Sequence, residues 1–169
     1  KLLANDFLML LDKLNIQSTN ILGWSDGGII ALELAIRQPK RLKKIIAFGA
    51  NSHPSGVKPN VTENSRFREF LTRANADYLA MSPEPNRWSE FLKSITKMWA
   101  NEPNFSDLEL QNITVPTLVL GGQQEEAIYP AHIEELSKKI PNSKLIMMPE
   151  TGHFAMLEKP EKFNEIVRS

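Results

Sequence analysis

The sequence contains no cysteine, and this absence excludes several classes of protein. A disulfide framework, a thiolate metal site and a cysteine nucleophile all require residues that the chain does not have. A chain without cysteine also fits a reducing compartment, so we expect a cytoplasmic location.

Net charge and long apolar runs are absent as well. Twenty Lys and Arg residues balance twenty Asp and Glu residues, so no net field attracts nucleic acid or an anionic membrane surface. No apolar run approaches the ~20 residues that a membrane-spanning helix needs. The three histidines are scattered without metal-ligand spacing. We therefore expect a small, weakly charged partner and neither a metal nor another cofactor.

The chain does contain short apolar runs that alternate with helical patterns, as in βαβ units. Its 169 residues, 41% of them hydrophobic, suffice for one domain with a buried core. The predicted strands cover residues 19–24, 43–51, 115–122 and 143–150, and the predicted helices cover residues 4–14, 27–39, 130–141 and 160–169. Near-continuous apolar strands separated by helices predict an α/β fold, with a mostly parallel sheet covered by helices on both faces.

The pattern changes between Ser52 and Asn112, where two helical segments, residues 65–81 and 87–100, occur without a strand signal. We therefore predict a core formed by residues 1–52 and 112–169, and a helical lid formed by residues 53–111. The predicted lid carries five aromatic residues, Phe67, Phe70, Trp88, Phe91 and Trp99. Some of them are expected to line a ligand pocket, since such pockets are mostly apolar. The alternative is that they pack the lid onto the sheet.

The stretch "GWSDGG" places Ser25 between a predicted strand and a predicted helix. Glycines at Gly23 and Gly27 relieve the collisions that side chains would cause in such a sharp turn. The turn lifts the serine hydroxyl above the carboxyl edge of the sheet, and the amide of Asp26 lies at a helix N-terminus, where it can stabilise an oxyanion. The pattern therefore suits a nucleophile. The alternative is an ordinary N-cap serine.

A serine nucleophile needs a base and an acid partner for that base. His153 follows the last predicted strand, at the sheet edge where Ser25 is expected to project. His53 follows the second strand and is the second candidate for the base, whereas His132 lies in an amphipathic helix and is expected at the surface. Glu125 and Glu126 follow the third strand and are the candidates for the acid.

Three segments together resemble the α/β-hydrolase superfamily: the "GWSDGG" turn, the "PTLVLGG" strand with its acidic turn, and the "TGH" turn before the terminal helix. The resemblance covers nearly the whole chain. It implies that Ser25 is the nucleophile, the Asp26 amide belongs to the oxyanion hole, His153 is the base and Glu125 is the acid. Family members usually have aspartate at the acid position, so either the longer Glu125 side chain is set further back or Glu126 serves instead.

The "GWSDGG" form is similar to the valacyclovir-hydrolase-like and small bacterial esterase branches. The resemblance implies a serine hydrolase that cleaves an ester or related acyl bond of a small molecule through an acyl-enzyme. Trp24, beside the nucleophile, and Trp88, in the lid, are the candidates for substrate contacts. Aminopeptidase, thioesterase, C–C hydrolase and acyltransferase branches use the same triad, and a non-catalytic ligand-binding member of the fold is a further alternative.

Members of the superfamily are considerably longer than this chain. The resemblance implies that the chain corresponds to the C-terminal part of the fold and lacks the first strands, together with the loop that supplies a second oxyanion amide. We therefore expect the strand before Ser25 to have an open edge. That edge is expected to pair with a missing N-terminal segment or with a second chain.

Overall fold

The computed structural model describes residues 1–169 and contains one sheet of four parallel strands in the order β1-β2-β3-β4. The strands are β1 (Thr19–Trp24), β2 (Leu42–Phe48), β3 (Thr117–Gly122) and β4 (Ser143–Met148). Each of them overlaps a predicted strand, and only β2 extends beyond its predicted range, by one residue at Leu42. The expectation of an α/β fold with a parallel sheet is confirmed.

Eight α-helices accompany the sheet. They are α1 (Leu2–Lys13), α2 (Asp26–Arg37), α3 (Ser65–Met81), α4 (Trp88–Asn101), α5 (Asp107–Gln111), α6 (Pro130–Lys139), α7 (Ala155–Glu158) and α8 (Pro160–Arg168). Proline opens α6 and α8, where its missing N–H breaks no helical hydrogen bond. None of the helices combines the length and the apolar character that crossing a bilayer requires.

Helices cover both faces of the sheet. Successive strand residues point to opposite sides, so the apolar strands have apolar side chains on both faces. On one face, Ile45 and Val119 belong to a large buried cluster that includes residues of α2 and α6. On the other face, Phe48 and Leu120 pack with Phe163 of α8 in a smaller cluster. The prediction of a sheet covered on both sides is therefore confirmed.

The strand β1 lies at one edge of the sheet and pairs only with β2. Its Leu22 is 47% exposed, which is unusual for an apolar residue in a parallel sheet. The parallel arrangement brings the carboxyl ends of β1, β3 and β4 to a common edge, so the loops that follow these strands can meet.

The segment between β2 and β3 contains α3, α4, α5 and three short 3-10 helices, but no strand. The helix α5 packs against α6, and its Leu110 is fully buried in the larger core cluster. We call residues 53–111 the insertion. Its assignment as a lid stays a prediction.

Candidate active site

Ser25 lies in the tight turn between β1 and α2, in a backbone conformation that is rare for a serine. Its φ is 53° and its ψ is −119°, and its N–H donates a 2.8 Å hydrogen bond to the carbonyl of Phe48. A Cβ on Gly23 would overlap the backbone of Gly27, so the turn closes only with glycine at this position. Strained backbone of this kind is typical of functional sites, and the strand-turn-helix context is that of a nucleophile elbow.

Glu125 and His153 form a buried hydrogen-bonded pair after β3 and β4. His153 Nδ1 lies 2.7 Å from Glu125 Oε1, and both side chains are almost fully buried. Because a carboxylate only accepts, Nδ1 carries the proton and Nε2 has a free lone pair. Gly49 makes room for this pair: it has a φ of 59°, and a Cβ there would lie 3.0 Å from the His153 ring.

The imidazole ring of His153 lies in an aromatic environment. Its centroid is 5.4 Å from the ring centroid of Trp24, 6.0 Å from that of Phe67 and 5.6 Å from that of Phe154. Nε2 is buried and has no hydrogen-bond partner, so it is not bonded to the hydroxyl of Ser25. Buried polar atoms without partners are rare in folded proteins, and catalytic hydrogen bonds are often long before substrate binds.

Asp26 begins α2, so its amide is among those that the helix leaves without an internal partner. Its carboxylate accepts from the indole N–H of Trp99 in α4, at 3.1 Å and 2.9 Å from the two oxygens. Burial raises the pKa of the Asp26 carboxyl above its usual range, while the Trp99 hydrogen bond and the charge of His153 lower it by less. Asp26 also faces a cavity of about 660 Å³ that α1, α2 and α4 help to line.

The two tryptophans predicted to contact substrate occupy different places. The indole N–H of Trp24 donates a 2.8 Å hydrogen bond to the carbonyl of His153, so this side chain holds the loop that carries the histidine. Trp88 packs against Tyr78 and Phe91 inside the insertion, at ring distances of 5.4 Å and 5.9 Å. The structure therefore brings Trp24, but not Trp88, into contact with His153.

The other two histidines do not reach Ser25. His53 is exposed and its Nδ1 bonds to Ser55. The expectation that His132 lies at the surface is wrong: it is half-buried, and its Nε2 accepts a 3.0 Å hydrogen bond from the amide of Ser52. The helical periodicity around His132 correctly indicated an amphipathic helix, but it did not reveal that the turn after β2 covers the histidine.

Two features of the site have no signal in the sequence pattern. One is the ion pairs of Arg66 in α3 with Glu126 and Glu158, which accept from the backbone amides of His153 and Gly152. The other is the hydrogen bond from Trp99 to Asp26. The paired residues are 60 to 92 positions apart in the sequence. A local sequence pattern cannot predict such contacts, and only the folded structure shows them.

Comparison with known proteins identifies the family of the chain. A family model described as the alpha/beta hydrolase fold matches residues 2–160. The chain belongs to the α/β-hydrolase fold family. This assignment confirms the resemblance drawn from the "GWSDGG", "PTLVLGG" and "TGH" segments.

Curated relatives and solved structures agree with the family. The chain is 28% identical over 173 residues to the serine hydrolase BPHL of Mus musculus, covering 97% of this chain and 58% of that relative. It is 30% identical to a pimeloyl-[acyl-carrier protein] methyl ester esterase of Nitrosospira multiformis, covering 85% and 64% of the two chains. A meta-cleavage product hydrolase from Pseudomonas fluorescens has the same fold, with a TM-score of 0.79, 19% identity and coverage of 97% and 68%. This α/β-hydrolase-fold chain thus spans less than two thirds of the length of the curated relatives BPHL and the methyl ester esterase.

Proposed function

We propose that the protein is a cytoplasmic serine hydrolase that cleaves an ester or related acyl bond of a small molecule. The observation that carries the proposal is the 2.7 Å hydrogen bond between Glu125 and His153, at the sheet edge where the strained turn holds Ser25. A carboxylate on Nδ1 keeps the ring in the tautomer whose Nε2 can accept a proton. Two relatives of the chain, a serine hydrolase and a methyl ester esterase, support the same reaction class.

In the proposed reaction, the Ser25 oxygen attacks the carbonyl carbon of the substrate while His153 Nε2 takes the hydroxyl proton. The Asp26 amide donates to the developing oxyanion, and Glu125 stabilises the imidazolium that has formed. The C–O bond of the ester then breaks, and the leaving alcohol receives the proton from Nε2. Water deprotonated by His153 attacks the resulting acyl-enzyme, which releases the acid and restores Ser25.

Nε2 of His153 is buried and has no hydrogen-bond partner, so the proposed reaction requires a contact with Ser25 that the structure does not contain. The Ser25 hydroxyl has to turn toward Nε2, or substrate has to bring the two groups together.

A fluorophosphonate probe tests the proposal, because it forms a covalent bond only with an activated serine. We expect the intact protein to be labelled, and the label to be lost in both Ser25→Ala and His153→Ala. His53→Ala is the matched control, since the side chain of this exposed histidine forms hydrogen bonds only with Ser55, and it should be labelled like the wild type. A folded intact protein that is not labelled would instead favour a ligand-binding member of the fold without catalytic activity.

A further inference from the structure

The loop that carries His153 is held by two carboxylates on consecutive backbone amides. The N–H of Gly152 donates to Glu158 Oε2 at 2.7 Å, and the N–H of His153 donates to Glu126 Oε2 at 2.6 Å. Hydrogen bonds to charged acceptors are stronger than neutral ones. These two bonds act on the backbone of the loop, in addition to the Glu125 bond that acts on the ring.

Gly152 permits this arrangement because it has no side chain. A Cβ at this position would overlap the carboxylate of Glu126, so another residue would push Glu126 away from the His153 amide. The glycine of the "TGH" segment therefore lets a carboxylate approach the backbone beside the histidine.

Arg66 connects the two carboxylates. Its Nη1 lies 3.0 Å from Glu126 Oε1 and also contacts Glu158 Oε1. The Glu126 and Glu158 side chains are 12% and 20% exposed, whereas the Arg66 side chain is 54% exposed. Without the guanidinium, two negative charges would face each other beside the same loop and repel.

The ion pairs of Arg66 connect the insertion to the loops that follow the sheet. Arg66 lies in the first turn of α3, in the insertion, whereas Glu126 follows β3 and Glu158 ends α7. Phe67, the next residue in α3, packs against the ring of His153. From the same turn of one helix, Phe67 thus contacts His153 itself and Arg66 contacts the two carboxylates that hold the histidine loop.

We propose that Arg66, Glu126 and Glu158, which we call the carboxylate clamp, position His153 and couple it to the seating of α3. Arg66 acts through the two carboxylates and is a positioning residue. When α3 is seated, the guanidinium holds both carboxylates on the loop amides, and the ring stays in line with Glu125. When α3 moves away, the carboxylates no longer hold the loop amides, and the His153 ring loses its alignment with Glu125. This inference rests on the proposed serine hydrolase function.

The kinetic test compares Arg66→Met with Arg68→Met in the intact protein. Arg68 is an exposed arginine of the same helix and forms no ion pair, so it controls for the loss of a surface charge. We expect Arg66→Met to lower kcat per labelled Ser25 by about tenfold, because small misplacements of a catalytic group are costly. KM should change little, and the melting temperatures of both variants are measured to show that they fold. Arg66→Lys should recover most of the rate, and Arg68→Met should match the wild type.

A second measurement does not depend on activity. Nuclear magnetic resonance of ¹⁵N-histidine-labelled protein follows the Nδ1–H of His153, assigned by its loss in His153→Gln. We expect faster solvent exchange, or loss of this resonance, in Arg66→Met and not in Arg68→Met. Unchanged exchange in Arg66→Met, or an equal change in both variants, would overturn the clamp. If the wild type hydrolyses no ester, the proposed function fails, but this comparison still tests the clamp by itself.

Discussion

At the scale of single residues, the two adjacent glutamates after β3 have separate contacts. Glu125 Oε1 accepts from the His153 ring and from the amides of Ala127 and Ile128, at 2.9 Å and 3.3 Å. These amides hold the longer glutamate side chain in place where family members usually have aspartate. Glu126 instead accepts from the His153 backbone. The contact with the imidazole ring is thus made by Glu125 and not by Glu126, and the role of Glu125 as the acid stays a prediction.

We predict that Glu125→Gln lowers kcat for a p-nitrophenyl ester by about 10⁴-fold, because an amide in place of the carboxylate favours the wrong histidine tautomer. Glu126→Gln should have a far smaller effect, since its amide oxygen can still accept from the His153 N–H. Steady-state kinetics on both purified variants gives the ranking. A larger loss in Glu126→Gln would transfer the role of the acid to Glu126.

His132 predicts a pH dependence of stability. Burial, followed by the charges of Lys139 and His53, lowers its pKa below the ordinary value of 6.5, and Glu135 opposes the shift. Nε2 must also be unprotonated to accept from Ser52. A lowered folded-state pKa means that the unfolded chain takes up a proton first as the pH falls. The stabilisation is therefore complete above pH 6.5 and is lost as the pH falls through the folded-state pKa.

Urea denaturation of the wild type and of His132→Gln, in steps between about pH 7.5 and pH 5, checks this expectation. The free energy of unfolding should fall more steeply with decreasing pH in the wild type than in the variant, because glutamine does not titrate. Parallel curves for the two proteins would show that His132 makes no contribution in this range.

At the scale of helices and strands, periodicity predicted most of the fold. The predicted strand at residues 19–24 and the segment 65–81 coincide with β1 and α3. The strand β2 ends at Phe48 rather than Asn51, because Gly49 turns the chain with a positive φ. The short helices α5 and α7 are not predicted, since four or five residues are too few to show a helical period, although a Ser106–Glu109 capping box forms the start of α5.

The contacts between elements were much less predictable. The sequence placed Ser25, Glu125 and His153 at one sheet edge, because each follows a parallel strand. It could not show that α4 reaches Asp26 through Trp99, or that α3 reaches the histidine loop through Arg66. These contacts depend on how the insertion packs on the sheet, and this packing has no counterpart in the local pattern.

The packing of the insertion predicts which of its aromatic residues affect specificity. A substrate carbonyl bound between Ser25 and His153 would lie near Phe67, because Phe67 packs against the His153 ring. Trp88 instead packs on Tyr78 and Phe91. We predict that Phe67→Leu shifts the preferred acyl chain length in a series of p-nitrophenyl esters. Trp88→Ala should keep the wild-type profile and lower the melting temperature. A shifted profile in Trp88→Ala alone would support the original substrate-binding prediction for this residue.

At the scale of the whole molecule, β1 presents an unpaired edge, and large apolar side chains are exposed on β1 and on α1. They are Leu22 and six residues of α1 and its end, Leu2, Leu3, Phe7, Met9, Leu10 and Leu14. An edge of this kind offers free N–H and C=O groups to other chains. The chain covers 58% of the length of BPHL. We propose that an additional segment or a second chain pairs with β1 and supplies the second oxyanion amide.

We predict that a polypeptide consisting only of residues 1–169 aggregates or self-associates and hydrolyses esters poorly. One missing oxyanion donor costs roughly 10²–10³ in kcat. Size-exclusion chromatography and an esterase assay on the same preparation give both quantities. A monodisperse and active monomer would refute the prediction, because another part of the chain would then have to cover the edge.

Hydrolysis of a p-nitrophenyl ester by the intact protein and by its Ser25→Ala and His153→Ala variants tests the proposed catalytic role of these two residues most directly. We predict that both variants lose activity by far more than tenfold while their melting temperatures show that they fold, since removing a triad member costs several orders of magnitude. Activity within about tenfold of the wild type in either folded variant would contradict it, because Ser25 or His153 would then not be part of the catalytic machinery.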